Sequence, residues 1–85
     1  MKQFRYVLTK SAHPHARTIS GLVREIARFD SVVRVCCGKK QTAVKKPRDI
    51  FALGLHCGDE VSVAIEGHDE EAAVAAIQGF VVAQF

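Results

Sequence analysis

Apolar and polar residues alternate at the start of the chain, with Phe4, Tyr6 and Leu8 set against Arg5, and this predicts a strand over about Lys2 to Leu8. The period then changes. Ile19, Leu22, Val23 and Ile26 fall at i, i+3, i+4 and i+7, one face of a helix predicted over about Ala16 to Phe29, with Arg17, Arg24, Glu25 and Arg28 on its wet side and Asp30-Ser31 at its end. Alternation returns from Val32 to Cys37, and Gly38-Lys39 turns the chain into a short strand near Gln41 to Val44. Lys45 to Asp49 opens a short helix with Pro47 in its first turn, where the missing N–H costs nothing, and Gly54 as its left-handed stop. Ile50, Phe51 and Leu53 are its apolar residues. Val61, Val63 and Ile65 mark a strand from about Glu60 to Glu66. Asp69 is expected to cap a last helix whose apolar face is Ala73, Ala76, Ile77, Phe80 and Val81.

The order βαββαβα gives each helix an apolar face that needs a sheet. A four-stranded antiparallel sheet with the helices on one side meets that need, which is an α+β open-faced β-sandwich. At 85 residues and 48% hydrophobic content, one domain spanning residues 1–85 is expected, with a single core. No apolar run approaches the ~18 residues of a membrane span, and no basic start leads into an apolar signal segment, so a cytoplasmic, membrane-free protein is expected. The three cysteines are odd in number, and adjacent Cys36 and Cys37 point to opposite faces of a strand, so they read as reduced thiols. A net charge of +3 suits a partner with an acidic docking surface.

The candidate chemistry lies where the first strand gives way to the first helix, in His13-Pro14-His15-Ala16-Arg17. Pro14 biases His13 toward extended geometry, so the helix hardly begins before His15, and His15 stands at its mouth. The first N–H groups of a helix have no intrahelical partner and carry the positive end of its dipole, so an anion is held there. Arg17 adds a fixed positive charge. A neutral imidazole is among the few side chains able to attack phosphorus near pH 7. A histidine ahead of a helix also serves as a plain turn residue, and position alone does not separate the two.

Along its whole length the chain resembles HPr, the histidine-containing phosphocarrier family of the bacterial sugar phosphotransferase system. The resemblance runs through His15-Ala16-Arg17, Leu22-Val23, Arg28-Phe29-Asp30-Ser31, Gly38-Lys39, Ala52-Leu53-Gly54, Gly58-Asp59-Glu60-Val61 and Gly67-His68-Asp69-Glu70, in the family's order and spacing. It implies a carrier rather than a turnover enzyme. His15 would accept a phosphoryl group from Enzyme I and pass it to a IIA domain of a sugar permease. Arg17 would steady the phosphate beside the backbone amides of Ala16, Arg17 and Thr18, and Arg24, Pro47, Arg48, Ile50 and Phe51 would form the docking patch. It also implies that the first strand pairs with the fourth, the second with the third, and the fourth with the second. No cofactor is implied, and a monomer is expected.

Several positions depart from the family pattern. His13 and Pro14 replace a glycine and an aliphatic residue, and Thr18 replaces a proline, losing a preset φ while adding an N–H and a hydroxyl. Lys46 stands where many Gram-positive members carry a regulatory serine, and Pro47-Arg48 replace apolar docking residues. These changes keep open a second role, an HPr-like regulatory or binding module with weakened or lost transfer. The resemblance brings the loop holding His56 and Cys57 toward His13 and His15, a possible zinc set, but paired ligand spacing is missing and no metal site is assigned. Lys39, Lys40, Lys45, Lys46 and Arg48 carry no interleaved aromatics, which favours a solvated, partner-facing surface over nucleic-acid binding.

Overall fold

The computed structural model describes residues 1–9, 16–55 and 58–85. Four strands and three helices follow in the expected order: β1 (Lys2–Val7), α1 (Ala16–Ala27), β2 (Val32–Cys37), β3 (Lys40–Ala43), α2 (Pro47–Phe51), β4 (Glu60–Glu66) and α3 (Glu70–Gln84). The strands form one antiparallel sheet in the order β1-β4-β2-β3, so the two central strands are covered by hydrogen-bonded neighbours on both sides. This is the expected open-faced sandwich.

Register explains how the alternation becomes a core. Phe4 and Val35 both lie opposite Val63, and Val33 lies opposite Ile65. Because side chains alternate across a strand, these positions share one face, which α1 and α3 cover with Ile19, Leu22, Ile26, Ala73, Ile77 and Val81. The other face carries Gln3, Arg5, Arg34 and Gln41, all exposed.

Element ends shift by a residue or two, each for a physical reason. α1 stops at Ala27 rather than Phe29 because the Arg28 and Phe29 N–H groups bond back three residues, to Glu25 and Ile26, tightening the last turn. β1 ends at Val7, yet Leu8 stays buried, and Val44 is buried just past β3 with its N–H on the Val33 carbonyl. Gly54 has φ 62°, the left-handed stop expected after α2, and its N–H bonds to the Phe51 carbonyl. Cys36 and Cys37 are free and half-buried; burial raises the Cys37 pKa, as does the nearby Asp59 charge, partly offset by Lys40.

Asp69 corrects the sequence expectation. Its side chain makes no capping bond to α3. The carboxylate instead reaches across to the corner between α1 and β2, accepting the Asp30 N–H at 2.8 Å and the Ser31 hydroxyl. Ser31 is only 8% exposed, and a buried hydroxyl left unbonded is costly, so the Asp69 carboxylate bonds it across 38 residues rather than capping its own helix. Glu70 takes the backbone role Asp69 leaves, accepting the Gly67 N–H at 3.2 Å and the amine of Met1 at 2.9 Å.

Candidate functional site

The segment that carries the candidate histidines leaves β1 through a tightly held root. Leu8 exchanges two backbone hydrogen bonds with the start of β4's approach: its N–H donates to the Asp59 carbonyl at 2.9 Å, and its carbonyl accepts the Gly58 N–H at 2.8 Å. The Thr9 N–H donates to the Phe85 carbonyl at 2.9 Å. Below these bonds Leu8, Leu55 and Phe85 are buried together against Leu22, Ile50 and Val61. The chain therefore leaves a fixed point at Thr9 and re-enters a fixed helix at Ala16. His13, Pro14 and His15 lie outside the described residues, as do His56 and Cys57, so the zinc grouping has no described member.

What is described at the helix mouth is its first turn. α1 begins at Ala16, immediately after His15, and its first turn contains no acidic side chain. Ala16 and Arg17 are exposed and Thr18 is half-buried. Amides without intrahelical partners, the positive dipole end and an exposed guanidinium thus coincide, and that turn carries no carboxylate. Helix starts of this composition suit anions in general.

The expected docking residues separate into two groups. Arg24 and Arg48 are exposed, Pro47 is half-buried, and Phe51 shows 51% of its surface to solvent. Ile50 is the correction: at 1% exposure it is among the most deeply buried side chains of the core, pointing inward beside Leu22 and Leu55, and it is closed to a partner. A five-residue helix has one inward and one outward side, and consecutive apolar residues cannot share either. α2 is held by Asp49, whose carboxylate accepts the N–H groups of Lys45 and Lys46 at 2.9 Å each. Those two backbone bonds, and more weakly the charges of Arg48 and Lys46, hold the Asp49 pKa below its ordinary value. Lys46 occupies the cap position but its ammonium has no acceptor to offer, so only the Asp49 half of a capping box operates. Lys39, Lys40, Lys45 and Lys46 are all exposed, in line with a solvated basic surface.

Comparison with known proteins decides the family. The profile described as PTS HPr component phosphorylation site matches residues 2–83. The chain belongs to the HPr family. The phosphocarrier protein HPr of Mycoplasma genitalium is 32% identical over 79 residues, covering 92% of this chain and 90% of that one. The solved HPr-C-His of Thermoanaerobacter tengcongensis has a TM-score of 0.91 at 28% identity, covering 100% of this chain and 96% of that chain. A second structure from that organism, described as an HPr dimer, has a TM-score of 0.76 at 28% identity, with 98% of this chain and 95% of that chain covered. HPr proteins are phosphocarriers of the phosphotransferase system, and the four-stranded open sheet with three helices is their fold.

Sequence reasoning missed the burial of Phe85, although Phe85 continues the i, i+4 series of Ala73, Ile77 and Val81, and it missed the backbone bond from Thr9 to Phe85, which no side-chain pattern encodes. It also missed the Asp69 bridge. A serine directly after a helix, followed much later by a glycine ahead of an aspartate, is the available signal, and it is weak.

Proposed function

We propose that this chain carries a phosphoryl group on a ring nitrogen of His15, received from Enzyme I and delivered to a IIA domain of a sugar phosphotransferase system in the cytoplasm. The observation that carries this reading is the start of α1 at Ala16, directly after His15, with an acid-free first turn and an exposed Arg17. In the first transfer the lone pair of the imidazole nitrogen forms a bond to phosphorus, and the bond from phosphorus to the donor breaks with its electron pair leaving to the donor. The second transfer reverses these roles toward the IIA nucleophile. Through both steps the charge on the phosphoryl oxygens is met by the amides of Ala16, Arg17 and Thr18 and by the Arg17 guanidinium, which are in place before the phosphate arrives.

Docking is assigned to the exposed side chains of α1 and α2, with Phe51 as an apolar anchor and Arg24 and Arg48 as the positive charges. Pro47 shapes the entry to α2, and Ile50 supports Phe51 from below without touching a partner. A partner with an acidic rim is steered to such a surface, and Arg48 is costly to dehydrate unless a carboxylate meets it. The same patch serves donor and acceptor in turn, and the carrier works as a monomer.

The test is incubation with Enzyme I and phosphoenolpyruvate followed by intact mass. One acid-labile phosphate is expected, retained in His13→Ala and absent in His15→Ala. A folded protein that binds Enzyme I and gains no phosphate would assign it instead to the HPr-like regulatory class, to which the departures at His13-Pro14 and Lys46 to Asp49 also point.

A further inference from the structure

At the far end of α1 from Ala16, three metal-ligating side chains from two corners of the fold converge: Asp30 after α1, and His68 and Asp69 between β4 and α3. We infer that Asp30, His68 and Asp69 form a binding site for a divalent first-row transition ion of the zinc class, one nitrogen and two carboxylate ligands with water completing the shell. One donor atom from each residue lies within 4.8 Å of the others. His68 Nε2 and Asp30 Oδ2 are 3.0 Å apart. Ligands with bonds of about 2.0–2.2 Å, set 90–110° apart at a metal, stand roughly 3.0–3.4 Å from each other, so this pair already has a chelating separation.

Asp69 supplies the fixed point. Its two oxygens accept the Asp30 N–H and the Ser31 hydroxyl, which orients the carboxylate but uses about two of its roughly four lone-pair sites. The same contacts keep it ionised, the Ser31 hydroxyl first and the Asp30 N–H next, holding its pKa below the ordinary value. Outer partners that orient a ligand in this way strengthen a metal site. The floor beneath it is rigid: a Cβ at Gly67 would lie 2.5 Å from Ser31 Oγ and 2.7 Å from Ser31 Cα, so the two corners meet at closest approach. The other two ligands are open to solvent, His68 with 76% and Asp30 with 81% of the side chain exposed, so little packing opposes their rotation onto an ion held by Asp69.

Charge favours a cation independently of the spacing. Asp30 follows the C-terminal end of α1, the negative end of its dipole, where a second negative charge is unfavourable until a cation arrives. The basic neighbour Arg28 is engaged with Glu25 and stacks over the Phe29 ring. A single imidazole with two carboxylates selects zinc, nickel or cobalt over magnesium, which prefers an all-oxygen shell and keeps its waters. A bound ion joins the α1–β2 corner to the β4–α3 corner, about 18 Å along α1 from the phosphate mouth at 1.5 Å per residue, so it does not compete with phosphate.

The test uses the full chain, whose other histidines and cysteines are rival ligands. Zn2+ affinity is measured by calorimetry for the parent, His68→Gln and Asp30→Asn. Both variants alter exposed side chains and keep the Asp30 N–H that Asp69 accepts. Each is expected to weaken Zn2+ binding at least tenfold with an unchanged amide spectrum. Substoichiometric Ni2+ should broaden the amide signals of Asp30, Ser31 and Gly67 to Asp69 first, and Mg2+ at the same concentration should leave them sharp. Unchanged Zn2+ affinity in His68→Gln, broadening centred elsewhere, an equal response to Mg2+, or no binding at millimolar Zn2+ would each overturn the site.

Discussion

α1 ends in two environments of opposite character, one free of acidic residues and one tied to an aspartate of the next corner. Its first turn has no acidic residue, an exposed Arg17 and three amides without intrahelical partners. Its last turn runs into Asp30 and Ser31, which are stitched to Asp69 and pressed against Gly67. The first amides at the mouth have no partner within the helix, while the Asp30 N–H and the Ser31 hydroxyl at the corner are both bonded to Asp69. An anion carrier of the kind proposed needs donors free to meet the anion and a rigid support behind them, and in the proposed function the start of this helix supplies the first.

The contrast breaks most visibly at Arg17. Arg17→Ala should slow phosphoryl transfer at least about tenfold, since a charge-assisted contact to the phosphate is lost, while unfolding free energy stays within about 0.5 kcal/mol because the side chain is exposed. Stopped-flow transfer and urea titration check the two halves. Equal transfer rates would mean that the mouth works through its amides alone.

The corner should behave in the opposite way. Gly67→Ala is expected to cost about 1–3 kcal/mol of stability, because the new Cβ meets Ser31 backbone as well as its hydroxyl and the corner must open. Phosphate acceptance per folded molecule should be unchanged, as read by intact mass on the variant below its melting temperature. A loss of transfer without a loss of stability would show that the two ends are coupled.

These asymmetries were unequally legible in the sequence. Ile19, Leu22, Val23 and Ile26 repeat over two turns of α1, so periodicity identifies the helix, Pro14 fixes where it begins, and only its tightened last turn is misplaced, by two residues. α2 has five residues, too few for a period to separate Ile50, which is buried, from Phe51, which is exposed. Asp69 stands at a cap position in sequence, and the preference of aspartate for caps is sound; what sequence cannot reveal is that Ser31, 38 residues earlier, arrives with a hydroxyl and wins. Long-range pairings of this kind depend on strand order, which alternation does not encode and the family resemblance supplied.

A smaller effect sharpens the comparison through pH. Asp49, Asp69 and Glu70 have folded pKa values below their ordinary ones: Asp49 through the Lys45 and Lys46 N–H groups, Asp69 through the Ser31 hydroxyl, and Glu70 through the Met1 amine. Carboxylates shifted downward contribute stability that is full above the unfolded carboxyl range and is lost as pH falls through the folded values. Stability should therefore hold from neutrality to about pH 5 and fall below about pH 4. In Asp69→Asn the neutral-pH stability should drop and the acid slope become shallower, by urea titration across that range. An unchanged slope would remove Asp69 from the account.

The most direct test of the central claim is the amide spectrum of the 15N-labelled protein before and after phosphorylation by Enzyme I and phosphoenolpyruvate. Phosphate held at the mouth should move the Ala16, Arg17 and Thr18 amides downfield as they bond to its oxygens, while Asp30, Ser31 and Asp69 stay in place. Phosphorylation that leaves those three amides unmoved, or shifts the far corner instead, would contradict it.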